Sequence, residues 1–129
     1  MEYKVDSAVR YSKTHEWVRV EGGEAVIGIS DYAQNKLSDI VYVELPAVGK
    51  ELAASSACMV IESVKAAEEV FAPVSGSVVA RNEALVKTPE VVNSDPFGQG
   101  WLVRVKMSAP KEAEGLMDAA AYTAYLATL

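Results

Sequence analysis

The sequence predicts an all-β domain, a compact sandwich or barrel, with a few short helices added. Three observations predict it. Short apolar or alternating runs recur along the chain, turns rich in glycine and proline separate them, and only brief stretches carry a helical period. The chain of 129 residues suits one domain, residues 1–129. Half of its residues are hydrophobic and 23% are charged, a globular rather than a disordered composition.

The elements follow in order. Residues 1–13 carry weak signals. Trp17-Val18-Arg19-Val20 alternates like a half-buried strand, Glu21-Gly22-Gly23 turns, and residues 24–29 return as the second strand of a hairpin. Residues 30–37 suit a short helix, with Asp31 as cap, Gln34 completing a capping-box-like pair, and Ala33 and Leu37 on one face. Residues 40–45 restore the two-residue period until Pro46 and Gly49 end it. Residues 50–56 form a connector with room for a short strand. Residues 57–64 and 68–72 read as the two arms of a hairpin, and Pro73-Val74-Ser75-Gly76 turns the chain into a further strand over 77–81.

The last third mixes signals. Thr88 and Pro89 have the form of a helix start, and residues 93–100 read as a loop. A final strand follows, with Trp101, Val103, Val105 and Met107 on one face and Leu102, Arg104 and Lys106 on the other. The end, about 110–129, is helical. Pro110 opens one short helix that Gly115 weakens. Asp118 caps a second, where Tyr122, Leu126 and Leu129 recur at helical spacing. This helix either packs on the body or docks on a partner.

Charge and residue inventory exclude several functions. A net charge of −6 argues against a non-specific nucleic-acid binder and against adhesion to an anionic membrane. No apolar run is long enough for a membrane helix and no signal core is seen, so a cytoplasmic setting is expected. Cys58 is the single cysteine, so no internal disulfide forms, and it reads as a buried, inert thiol in an apolar run. His15 is the single histidine. Beside Glu16 it has the makings of a general base, but a structural histidine at a strand start is the better reading. With no nucleophile elbow, phosphate loop, dinucleotide fingerprint or metal cluster, the chain is expected not to be an enzyme itself.

One stretch stands apart, Ile61-Glu62-Ser63-Val64-Lys65-Ala66-Ala67-Glu68. It places Lys65 at the tip of the predicted hairpin. A lysine in a turn is most often a solvated charge. Here two ordered strands present it at a reproducible position, the small Ala66 and Ala67 leave its approach open, and Glu62 and Glu68 flank it. That is what an enzyme attaching a cofactor requires. A cofactor on Lys65 would then carry the chemistry that the scaffold lacks.

The wider pattern is specific. Glu62-Ser63-Val64-Lys65-Ala66, followed by Ala72-Pro73-Val74-Ser75-Gly76, resembles the lipoyl-attachment region of the glycine cleavage system H-protein family. His15-Glu16-Trp17-Val18, Gly28-Ile29-Ser30-Asp31-Tyr32-Ala33-Gln34, Asp39-Ile40-Val41-Tyr42-Val43-Glu44-Leu45-Pro46 and Val92-Asn93-Ser94-Asp95-Pro96 also resemble that family, in order, over nearly the whole chain. The resemblance implies a barrel-sandwich hybrid of the biotinyl/lipoyl-carrier type with lipoic acid in amide linkage to Lys65. It implies an arm that takes an aminomethyl group from a pyridoxal-phosphate-dependent glycine decarboxylase to a tetrahydrofolate-dependent aminomethyltransferase. Reoxidation by dihydrolipoamide dehydrogenase follows, and a lipoate ligase or a lipoyl/octanoyl transferase attaches the arm. By position, Thr14, Glu16, Ile29 and Glu69 would lie along a groove that shelters the loaded arm.

Two departures stand out. Lys36 occupies a place where some relatives have histidine, and Ala53-Ala54-Ser55-Ser56 replaces a turn that usually carries glycine and an acid. Three other readings compete. An H-like protein used mainly in lipoyl relay has the same attachment site. A biotin carrier shares the fold class, although Val64 and Ala66 flank the lysine where such carriers resemble a methionine-lysine-methionine tip. A purely structural β-domain would leave Lys65 unmodified.

Overall fold

The protein is described by a computed structural model covering residues 2–129. In chain order the elements are β1 (Arg10–Tyr11), β2 (Glu16–Glu21), β3 (Glu24–Ile29), α1 (Asp31–Leu37), β4 (Ile40–Glu44), β5 (Glu51–Leu52), β6 (Ala57–Ser63), β7 (Ala67–Phe71), β8 (Gly76–Arg81), α2 (Ala84–Lys87), α3 (Val91–Ser94), β9 (Val103–Met107), α4 (Lys111–Glu114) and α5 (Ala119–Leu126). The strands build a six-stranded sheet in the order β1-β2-β3-β9-β8-β5 and a three-stranded sheet in the order β4-β6-β7. Every pairing is antiparallel. The arrangement is two sheets over a shared core, with short helices and no closed barrel.

The inward faces of both sheets meet in one core that includes Val18, Ile27, Val78 and Val105 from the larger sheet and Val43, Ile61 and Val70 from the smaller. Burying each such side chain contributes about 1.5–3 kcal/mol. A second cluster of Val9, Tyr11, Trp17, Val26 and Tyr122 lies apart from it. Strand β3 serves both. Ala25, Ile27 and Ile29 enter the main core, while Val26 enters the second cluster through the other face. Val9 and Tyr11 of the N-terminal segment and Tyr122 of α5 cover that second face.

Gly28 sits under the Trp17 indole, where an added Cβ would fall 2.4 Å from ring carbons. Trp17 cannot withdraw, because its Nε1 donates to the Pro96 carbonyl at 3.0 Å.

The sequence reading of the strands holds in outline, and several local expectations change. The cap of α1 is Ser30, not Asp31. Ser30 is extended at φ −73° and ψ 167°, and its hydroxyl accepts from Ala33 N. Asp31 is already helical and its carboxylate accepts from Gln34 Nε2 and Lys4 N instead. Thr88 closes a helix rather than opening one. It is the C-cap of α2, and its hydroxyl donates to the Ala84 carbonyl at 2.9 Å. Leu102 is fully buried although it alternates with Arg104 and Lys106. It precedes β9, with its amide on the Ile27 carbonyl at 2.8 Å, and Trp101 turns away to the second cluster. In the final helix Asp118 is the cap, accepting from Ala121 N at 2.8 Å, and Tyr122 is buried, but Leu129 lies past the helix end and is exposed. In the turn at 53–56 Ser55 adopts φ 69°, a left-handed conformation that usually falls to glycine.

Gly28→Ala is expected to destabilise the protein by about 1–3 kcal/mol, the range for overpacking beside a side chain that cannot move. A lower urea midpoint with an unchanged denaturant slope would show it.

Candidate functional site

The register of the smaller sheet creates the tip. Ala67 pairs with Glu62, which leaves Ser63-Val64-Lys65-Ala66 to close the hairpin. Ser63 uses its full hydrogen-bonding capacity to hold it. Its hydroxyl donates to the Ala66 carbonyl at 3.1 Å and accepts from Lys65 N at 3.2 Å and Ala66 N at 3.1 Å. The Ser63 amide donates to the same Ala66 carbonyl at 2.8 Å, and Val64 N donates to Asp39 O at 2.9 Å. Lys65 is therefore exposed on a backbone that is not free to flex.

The Lys65 side chain leans toward α1, where Nζ donates to the Lys36 carbonyl at 3.0 Å. That carbonyl lies in the last turn of the helix, where a cation is favoured. Helix α1 is in turn fastened to β4 by Asn93. The Asn93 amide donates to Gln34 Oε1 and Ser38 O, and its oxygen accepts from Ile40 N, all at 2.9 Å. The sequence motif around Asn93 thus positions the surface onto which Lys65 folds.

A groove of about 190 Å³ opens beside the lysine. Ile29, Leu37, Ile61 and Val70 supply apolar lining. Thr14, His15 and Glu16 border it on one side, Tyr32, Ala33 and Lys36 of α1 on another, and Lys65, Ala66, Glu68 and Glu69 on the hairpin side. All four predicted groove residues, Thr14, Glu16, Ile29 and Glu69, line it. Glu16 pairs with Ile29 across β2 and β3, which brings those two together. The sequence shows Glu68 only as a flanking charge. The register sets it opposite Ile61, on the groove side of β7, whereas Glu69 stands opposite Val60. Of the residues that the sequence predicts as an attachment motif, Lys65 and Ala66 reach the groove, while Glu62, Ser63 and Val64 shape the tip. The α1 wall was legible only as a helical face carrying Ala33 and Leu37.

Glu16 is 2% exposed and fully engaged. Oε1 accepts from the Ser12 hydroxyl at 2.7 Å and from the Thr14 hydroxyl, and Oε2 accepts from Phe71 N at 3.1 Å. Burial raises its pKa, and these donors pull against that rise. His15 adopts φ 74°, a left-handed turn that sets Thr14 and Glu16 on either side of it. Its ring lies 4.5 Å from that of Tyr32, and Nδ1 is 2.8 Å from the Tyr122 hydroxyl. This is a structural histidine, as the sequence suggested, and burial lowers its pKa. Cys58 is half-buried, its thiol donates to the Val70 carbonyl at 3.5 Å, and burial pushes its pKa up to about 11, which disfavours the thiolate at neutral pH. Among the described residues no cluster of potential ligands could hold a metal, and no helix is long and apolar enough to cross a membrane.

A rigid hairpin that offers one exposed lysine beside a groove is the arrangement of a swinging-arm carrier domain. Comparison with known proteins specifies which one. The family described as Glycine cleavage H-protein matches residues 9–129. The glycine cleavage system H protein of Beijerinckia indica subsp. indica is 54% identical over 123 residues, covering 95% of this chain and 99% of that one. That of Aeromonas salmonicida is 51% identical over 119 residues, covering 92% of each. The crystal structure of a glycine cleavage system H protein from Mycobacterium marinum superposes with a TM-score of 0.88 at 32% identity, covering 95% of this chain and 99% of that one. The chain belongs to the glycine cleavage H-protein family, and it is a lipoyl carrier of the glycine cleavage system rather than an enzyme in its own right.

Glu16→Ala leaves the Phe71 amide without its acceptor and takes the carboxylate from the Ser12 and Thr14 hydroxyls, and is expected to cost about 1–3 kcal/mol in urea unfolding at neutral pH. The raised pKa fixes the sign of its pH dependence. Its favourable contribution is complete below the unfolded carboxyl value and is lost as pH rises through the higher folded one. Stability measured across that interval should therefore decline with pH in the parent chain and vary less in the variant.

Proposed function

We propose that Lys65 is the lipoyl attachment site and that the adjoining groove receives the arm between visits to partner enzymes. The observation that carries this is the hydrogen bond from Lys65 Nζ to the Lys36 carbonyl. The lysine already points along the groove, and an amide nitrogen would keep one N–H to make the same bond. The groove fits such a group. Its apolar lining, Ile29, Leu37, Ile61 and Val70, suits an alkyl chain and a dithiolane ring, and carboxylates stand on its border. When bound, the lipoyl group supplies a disulfide that accepts the aminomethyl group of glycine and later yields it.

The chain's own residues do the rest. Ser63 holds the tip at a constant angle for the attaching enzyme and for each partner. Glu62 and Glu68 flank Lys65 as exposed carboxylates that a lipoate ligase or a lipoyl/octanoyl transferase can read. Inside the groove, water must be kept from the cargo. Ile29 and Leu37 exclude it, and Glu68, on the groove side of β7, offers a carboxylate for an ammonium through a charge-assisted hydrogen bond. Glu16 keeps Thr14 and β7 in place, so its carboxylate acts first on the shape of the wall. The partners are the pyridoxal-phosphate-dependent glycine decarboxylase, the tetrahydrofolate-dependent aminomethyltransferase and dihydrolipoamide dehydrogenase. The setting is the cytoplasm.

Protein made in a lipoylating host should show the mass of one lipoyl amide, and peptide mapping should place it on Lys65. Lys65→Arg should remain unmodified and should lose glycine–bicarbonate exchange with the decarboxylase. A lipoyl group on another lysine, or full exchange by the variant, would refute the assignment.

A further inference from the structure

We propose that Tyr122, on the C-terminal helix α5 and outside the groove lining, is a positioning residue. It holds α1 against the Thr14 to Glu16 wall through a directional relay running Ser30 Oγ–H to Tyr122 Oη–H to His15 Nδ1. The inference rests on the arm-groove reading above.

Tyr122 and Ser30 are both fully buried. The Tyr122 hydroxyl lies 2.7 Å from Ser30 Oγ and 2.8 Å from His15 Nδ1, and Ser30 Oγ also accepts from Ala33 N at 3.2 Å. Each hydroxyl has one proton to give. If Tyr122 gave its proton to Ser30, the proton of Ser30 would have no acceptor among its contacts and would be stranded in the interior. The direction from Ser30 through Tyr122 to His15 satisfies every group. It requires a bare Nδ1, and therefore a neutral His15 protonated on Nε2. The surroundings agree. The rings of Tyr32, Tyr122 and Tyr125 face the imidazole, Lys36 Nζ lies over Tyr32, and the neighbouring Glu16 carboxylate is occupied by its own donors. Burial favours the uncharged ring.

The relay connects both walls of the groove. His15 separates Thr14 from Glu16, and its carbonyl accepts from Ser30 N at 2.9 Å, so wall and helix start are joined by backbone as well as by side chains. Helix α1 has only seven residues, so a tilt at Ser30 is carried to Lys36, whose carbonyl holds Lys65. A hydroxyl in α5 thus sets the spacing between the two walls.

The test uses the full lipoylated chain. Nitrogen-15 NMR should find His15 as the Nε2–H tautomer with a titration midpoint below 6.5. In Tyr122→Phe the midpoint should rise, because the donor that favours a neutral Nδ1 is gone. After loading with glycine and the decarboxylase, water converts released cargo to formaldehyde and ammonium and leaves the thiol. That release should be about threefold to tenfold faster in Tyr122→Phe. Tyr125→Phe removes a hydroxyl bonded to Lys13 O and outside the relay, and it should alter neither reading. An Nδ1–H tautomer in the parent protein, or an unmoved midpoint in Tyr122→Phe, overturns the relay. A moved midpoint with unchanged formaldehyde release overturns its control of the groove. Absence of a lipoyl group on Lys65 is read separately by mass and refutes the arm reading, while the NMR result still decides the relay.

Discussion

One buried carboxylate joins the two sheets at the place where function needs them joined. Glu16 begins β2 in the larger sheet, and its Oε2 takes the Phe71 amide at the end of β7 in the smaller. Its other oxygen gathers Ser12 and Thr14 from the loop before β2. A buried acid is tolerable only when its lone pairs are filled, and here three donors fill them. Take the carboxylate away and three donors lose their partner at once, along the line where the groove opens. The groove wall is thus held by a polar contact whose cost of disruption is high.

The tip and the groove obey different physical requirements. The tip must be exposed yet fixed, and one hydroxyl with one donor and two acceptor positions accomplishes that at Ser63. The groove is dry along its length and charged at its border: apolar residues from four elements line it, while Glu68, Glu69 and Lys36 stand at its edge. Helix α1 connects the two, since its face forms one wall and its last turn receives the lysine. The carrier therefore needs little chemistry of its own. It needs a stiff frame, which a two-sheet core of this size provides.

Most of the strands were legible because their side-chain period is two and glycine or proline ends them. Glu24–Ile29 and the hairpin of Ala57–Ser63 with Ala67–Phe71 lie where the sequence put them. Ile40–Glu44 is a strand as expected, but its alternation fails: the register shifts between Ile40 and Tyr42, so Val41 is exposed while Val43 and Leu45, expected on the same face, are buried. The misreadings have different causes. Leu102 obeys a tertiary hydrogen bond to the Ile27 carbonyl, Thr88 bonds back to Ala84 and so ends the helix before it, and Leu129 continues a stripe beyond the point where the helix stops. Ser30 displaced Asp31 as cap because it alone keeps the extended backbone that a cap requires. Local composition cannot distinguish two adjacent capping residues.

By itself the sequence determined the alternating strands, the turn that isolates Lys65 and the motif around it, because these depend on neighbours a few positions apart. Only the tertiary structure decided that Glu16 spends its oxygens on β7 and the preceding loop. It alone turned Glu68 toward the groove and brought His15, Ser30 and Tyr122 within hydrogen-bond distance. Those contacts join residues up to 107 positions apart. They arise from sheet register and from the packing of α5, for which a linear pattern of residue types has no variable.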